Sequence, residues 1–280
     1  RERVSGPAAL EAALAGVAQG RLVPYLGPGV TALGSSRVPA SPGALATLLE
    51  AQVRPPRRAR GNLWAVAQYI ETRRFRRTAA SLVEQAFASA ADDNPLHRWL
   101  ADLRPPLVVD AWYDGGLIDA YAAAAGDGWG RVQAVSRHDV KGEAFTRAFD
   151  AAGAAVGDAP DPGWPALIYQ PHGLARAGSS FLLSDSDYVP VLTEIDIQTP
   201  IPAEVQARRR GRGFLFLGCR FDDQMLRIFA RQIIKRSAGP HLAVIDGPLT
   251  RMEARFLATQ GIARVDLDLA AVVAALPVYA

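Results

Sequence analysis

A single cysteine, Cys219, stands in a chain of 280 residues. That excludes a disulfide within the chain and any structural zinc site built from several thiolates. Lysine is nearly missing too: Lys141 and Lys235 are the only two, so the net charge of +3 rests on arginine. The four histidines have no acidic or cysteine spacing around them that would make a metal site, and no metal is expected. No apolar run is long enough to cross a bilayer, so a membrane is not an expected partner. The opening residues, Arg1-Glu2-Arg3-Val4-Ser5, have the pattern of neither a signal peptide nor a transit peptide. With the scarcity of cysteine, this leads us to expect a cytoplasmic location. The missing initiator methionine fits a trimmed chain or part of a longer protein, with a protein partner or further domain outside it.

What is present is the composition of a soluble globular protein, 49% hydrophobic and 21% charged. Arginine clusters at Arg54 to Arg60, Arg73 to Arg77 and Arg208 to Arg212. Such clusters suit nucleic acid or phosphate. Apart from Phe75 no aromatic interleaves with them as base stacking requires, so solvated basic faces are the favoured reading over nucleic acid.

Short apolar runs alternate with helical patterns. The runs are Leu22 to Leu26, Pro106 to Tyr113, Arg131 to Val135, Ala166 to Tyr169, Gly213 to Leu217, His241 to Ile245 and Ala263 to Leu267. Rich in Val, Ile and Leu and bounded by Gly, Pro or Asp, they fit buried parallel strands. Pro7 to Gln19 is an amphipathic helix closed by Gly20, and Asp222 to Arg236 is a helix with acids in its first turn and bases in its last. The order predicts an α/β fold, a doubly wound, mostly parallel, Rossmann-like sheet. Consecutive helical patterns over 62–103 predict a helical insertion within a single domain of residues 1–280, and Ala151 to Trp164 reads as a loop.

Four short motifs follow strand ends, where open α/β sheets bind ligands. In Gly27-Pro28-Gly29-Val30-Thr31 two glycines let backbone amides approach a pyrophosphate. The third fingerprint position is Ala32, so taken alone the motif fits a structural turn equally well. Asp110-Ala111-Trp112-Tyr113-Asp114 ends a strand in a polar and aromatic cluster, where Asp114 also suits a helix N-cap. Gln170-Pro171-His172-Gly173 places a histidine, suited to acid-base work near neutrality, at the same rim. Gly218-Cys219-Arg220 opens another strand-to-helix turn, with Cys219 better suited to packing beneath a ligand than to nucleophilic attack.

In this order and spacing the motifs resemble the Sir2-like family, in particular its bacterial branch of NAD-binding or NAD-consuming domains. Gly27-Pro28-Gly29 is similar to the family's Gly-Ala-Gly loop, and Val38-Pro39-Ala40-Ser41 to the proline-containing segment after it. Asp110 to Asp114 is similar to its Thr-Thr-Asn-Tyr-Asp strand end, and Gln170 to Gly173 to its Lys-Leu-His-Gly segment. Leu183 to Tyr188 resembles its acidic segment ending in Asp-Tyr, and Phe214 to Asp223 its Phe-x-Gly-x-Ser-x-x-Asp turn. The resemblance implies an NAD or ADP-ribose ligand held by Gly27, Pro28, Gly29, Val30 and Thr31, with Trp112 and Asp114 at the nicotinamide side. Gly218, Cys219 and Arg220 would lie beside the adenosine, and His172 would act as base, together with Asp114, in NAD hydrolysis.

The sequence departs from that pattern where chemistry is done. Trp112 stands in the place of the asparagine that holds ribose and attacking water, and indole has one donor and no acceptor. Pro28 removes an amide hydrogen from the loop. A single cysteine excludes the family's four-cysteine zinc module, so deacetylation is not expected. Two functions stay open: NAD glycohydrolysis, or a degenerate module that binds a nucleotide or protein partner without turnover.

Overall fold

The computed structural model describes residues 6–34, 37–89, 92–124, 126–197 and 200–277; the opening Arg1 to Ser5 lie outside them. Nine strands form one sheet in the order β5-β4-β3-β6-β2-β1-β7-β8-β9. They are β1 Leu22–Leu26, β2 Leu107–Asp110, β3 Trp129–Ala134, β4 Thr146–Asp150, β5 Ala155–Gly157, β6 Ala166–Gln170, β7 Gly213–Leu217, β8 His241–Val244 and β9 Ile262–Val265. The seven strands from β3 to β9 across the sheet pair in parallel, and β4 and β5 add an antiparallel edge.

The central strands are buried on both faces, which is why they read as continuous apolar runs rather than as an alternating pattern. Val23 and Tyr25 of β1, and Phe214 and Phe216 of β7, enter one core. Leu22 and Leu26, with Leu215 and Leu217, enter the other. The first core is covered by α2 (Pro42–Gln52), α3 (Leu63–Arg74), α4 (Arg76–Ala86), α8 (Ala203–Arg209), α9 (Gln224–Ile234) and α10 (Arg251–Gln260). The second is covered by α1 (Gly6–Ala18), α5 (Pro95–Leu103), α6 (Gly116–Ala124) and α11 (Leu269–Ala275). The remaining helix, α7, spans Asp185–Ile197. Among the described residues no helix is long and apolar enough to cross a membrane.

Helix starts follow local chemistry. Ser41, Asn62, Asn94, Asp223, Thr250 and Asp268 each accept a first-turn amide through the side chain. Asp222 and Asp223 therefore precede α9 rather than occupying its first turn, because Asp223 is its cap. The antiparallel edge is the main departure from the sequence expectation. In β4 only Ala148 is buried, so no apolar run marks the strand. Ala155–Gly157 lies within the stretch read as a loop and is exposed throughout; its pairing with β4 is a backbone matter.

Candidate functional site

Strands β6, β2, β1 and β7 are consecutive neighbours in the sheet. Parallel pairing puts their C-terminal ends on one rim, so the four motifs that follow them meet there although up to 191 positions separate Gly27 from Gly218. The two glycine motifs touch. A Cβ on Gly27 would lie 2.6 Å from both Cys219 Sγ and Gly218 O, and one on Gly218 would lie 2.5 Å from Val30 N. Gly218 also has φ of +67°, a conformation side chains resist. The loop's amides are spent within the domain: Gly27 N–H donates to Leu217 O at 2.8 Å, Gly29 N–H to Gly218 O at 2.9 Å and Val30 N–H to Gly27 O at 3.2 Å. The glycines thus serve close approach between the β1 and β7 turns. Cys219 is buried there, and burial pushes its thiol up, far from a reactive thiolate.

A cavity of about 320 Å³ opens beside this contact, walled by Pro28, Gly29, Ser41, Gly218, Asp222 and Leu226, among others. Arg220 lines it too, but its guanidinium is held elsewhere. Nε and Nη2 pair with the two oxygens of buried Glu253 at 2.7 and 2.8 Å, and Nη1 and Nη2 also reach the carbonyls of Asp246 and Pro248. Glu253 in addition closes the capping box of α10 with Thr250.

Asp114 does not line this cavity. It joins two loops: Thr31 Oγ1 donates to its Oδ1 at 2.8 Å, and Gly116 N–H donates to its Oδ2 at 3.2 Å, just ahead of α6. His97 of α5 packs against Gly116 nearby, and burial holds its pKa down against the pull of Asp114. Asp110, at the end of β2, is buried; desolvation and then the charge of Asp114 raise its carboxyl.

His172 is 1% exposed and caged by aromatic rings. Its ring centre lies 4.7 Å from that of Phe229, 5.9 Å from Tyr188 and 6.4 Å from both Trp64 and Tyr113. Nδ1 shares a hydrogen bond of 2.8 Å with the Tyr188 hydroxyl, and buried Nε2 has no partner among the described residues. Burial pushes the imidazole pKa down to about 3, so it is neutral at any physiological pH. Trp112 is also buried, with Nε1–H donating to Pro39 O at 2.8 Å, the indole packed against Phe87 and Tyr113. The one donor of the indole is therefore spent on the backbone.

Trp64, which nothing in the sequence marks, contacts both a residue of the cavity wall and the histidine. Its Nε1–H reaches both oxygens of Asp223, on the cavity wall, at 3.1 and 2.9 Å, while its ring stacks over His172. Nothing local to Asn62-Leu63-Trp64 signals that role, because Asp223 lies 159 positions away. The acidic segment before Tyr188 has a structural duty. Buried Asp187 pairs with Arg76 and accepts from Leu183 N, Ser184 N and Ser136 Oγ.

The arginine clusters divide. Arg208 and Arg209 are buried and bind main-chain carbonyls. Arg54, Arg58 and Arg73 line an open groove with Tyr69, over whose ring Arg73 lies at 5.9 Å.

A mostly parallel α/β sheet with glycine turns meeting at one rim belongs to the class of open α/β domains, whose ligand sites lie beyond the carboxyl ends of the strands. The chain matches the SIR2-like domain over residues 106–264 and belongs to that family. Membership implies NAD-related binding in general. The matched stretch contains Asp114, His172 and Gly218, and begins after the Gly27 loop and α2 to α5. No curated protein matches the chain.

Proposed function

We propose that this domain binds NAD, or the ADP-ribose portion of it, in the cavity between the β1 and β7 turns and holds it without turnover. The observation that carries the reading is the separation of the cavity from the histidine. At about 320 Å³ the cavity falls at the small end of the ~300–1,000 Å³ common for ligand sites, room for part of a dinucleotide. The absence of side chains at Gly29, Gly43 and Gly218 leaves the wall open, and Ser41 and Asp222 offer partners for ribose hydroxyls. The nicotinamide half has no comparable fit. His172, Trp112 and Tyr113 are buried, and Trp64 stands between His172 and the cavity wall.

A second reading, hydrolysis of NAD with His172 as base, draws on the unpartnered Nε2 of that histidine. It requires the aromatic cage around His172 to open before any substrate reaches the ring. Calorimetry with NAD, ADP-ribose and ADP, run beside an assay of nicotinamide release, separates the two. Binding heat without nicotinamide is the expected result. Gly43→Trp should remove that heat, because a Cβ at Gly43 meets nothing within 4 Å and a bulky side chain fills the cavity without disturbing the fold. Nicotinamide release that His172→Ala abolishes would replace binding by hydrolysis. Silence from all three ligands would remove nucleotide recognition at this cavity.

A further inference from the structure

On the other face of the sheet, with β6 and β2 between it and the strands of the first cavity, the β3–β4 ladder builds a second pocket. Arg131 sits directly across from Phe149, and Gln133 across from Arg147, so these four side chains share one face. Ala148 and Val132 enter the core covered by α9, which places the four on the opposite face, towards Ile118 of α6 and Leu174. Arg176, from the loop after β6, reaches the same place. The resulting cavity has a volume of about 290 Å³, and its wall contains Arg131, Arg147 and Arg176 but a single carboxylate, Asp139.

The charges in this pocket are not balanced. Arg176 is paired with Asp119 at 2.9 Å. Asp139 accepts from Ser180 Oγ at 2.6 Å and lies 3.8 Å from Arg76, outside the pocket. Among the described residues neither Arg131 nor Arg147 forms an ion pair. Arg147 is exposed, whereas Arg131 is half-buried. Arg131 gives Nη1–H to the side-chain oxygens of Gln133 and Gln170 and lays its guanidinium 4.0 Å over the Phe149 ring. These neutral partners orient the group without neutralising it. Burial, and then the charge of Arg176, pushes its pKa down to about 10, still far above neutrality, so the cation persists. A half-buried cation beside a second cation is costly unless an anion joins it.

We propose that this pocket is a second ligand site, which takes the phosphate group of a small phosphorylated molecule or free phosphate between Arg131 and Arg147, with Arg176, held on both terminal nitrogens by Asp119, at its edge. Two guanidinium groups from neighbouring strands, neither with a carboxylate partner, suit an anion that offers oxygens in several directions. The site is independent of nucleotide binding at the first cavity, since no wall residue is shared.

Titration calorimetry of the full chain with inorganic phosphate and with ribose 5-phosphate, at ionic strength held constant with potassium chloride, tests it. Heat from at least one of the two is expected. Tighter binding of ribose 5-phosphate assigns the site to a phosphate ester; equal or tighter binding of inorganic phosphate assigns it to the free anion. Arg147→Gln removes an exposed, unpaired side chain, so the fold is retained, and it should weaken binding about tenfold. Arg147→Lys should recover part of the loss, and Gly43→Trp should leave the phosphate titration unchanged. No heat from either ligand, or binding that Arg147→Gln leaves as it was, overturns the proposal.

Discussion

His172 gives the sharpest test of how the site is built. The folded protein holds its imidazole neutral, with a pKa of about 3 against 6.5 for a solvated histidine, because the ring has been taken out of water. Below pH 6.5 the unfolded chain therefore binds a proton that the folded chain refuses. Stability falls as the pH drops through that value and continues to fall until about pH 3. Each unit costs about 1.4 kcal/mol, so going from about pH 7 to about pH 5 removes about 2 kcal/mol through this residue alone. That interval lies well above the folded pKa, which makes the figure insensitive to how far burial depresses it. Against a typical total of about 5–15 kcal/mol the loss is easily measured. The assay is urea unfolding at the two pH values for the wild type and for His172→Asn, whose short amide can still meet the Tyr188 hydroxyl. Burial also depresses His97 and His241, but both remain in the variant and cancel. The wild type should lose about 2 kcal/mol more than the variant over this interval. Equal losses would mean that the folded protein protonates His172 as readily as water does. The sealed cage would then be wrong, and hydrolysis would regain its base.

Three further outcomes follow from the same geometry. Trp112→Asn deletes a buried indole and frees Pro39 O, so it should cost about 3–5 kcal/mol in denaturant unfolding, and it should not start nicotinamide release while His172 stays buried among its aromatic neighbours. Arg76→Met leaves the buried Asp187 carboxylate without its cation and should cost about 3 kcal/mol, which Asp187→Asn in the same chain should partly restore. Gly218→Ala forces a side chain into φ of +67° and within 2.5 Å of Val30 N, and should lower the melting temperature together with nucleotide affinity.

The strands were legible because their environment is uniform. A strand buried on both faces is apolar along most of its length, and β1 and β7 accordingly lie where their apolar runs do. The β4–β5 edge was not legible, since an exposed strand needs only backbone partners and leaves little mark on side chains. The four rim motifs were readable as glycines, an aspartate and a histidine following strands. Their adjacency depended on the strand order, a long-range property.

The sequence by itself determined the α/β class, the family resemblance and the substitutions at Pro28 and Trp112. Those are matters of local composition, spacing and residue identity. Only the tertiary structure decided accessibility. Four rings from distant segments, Trp64, Tyr113, Tyr188 and Phe229, enclose His172, and Asp223 anchors the first of them. The same structure turned the glycine loop's amides inward and set two unpaired arginines across a ladder that the sequence did not announce. Burial and charge balance arise from contacts between segments far apart in the chain, so no local pattern encodes them.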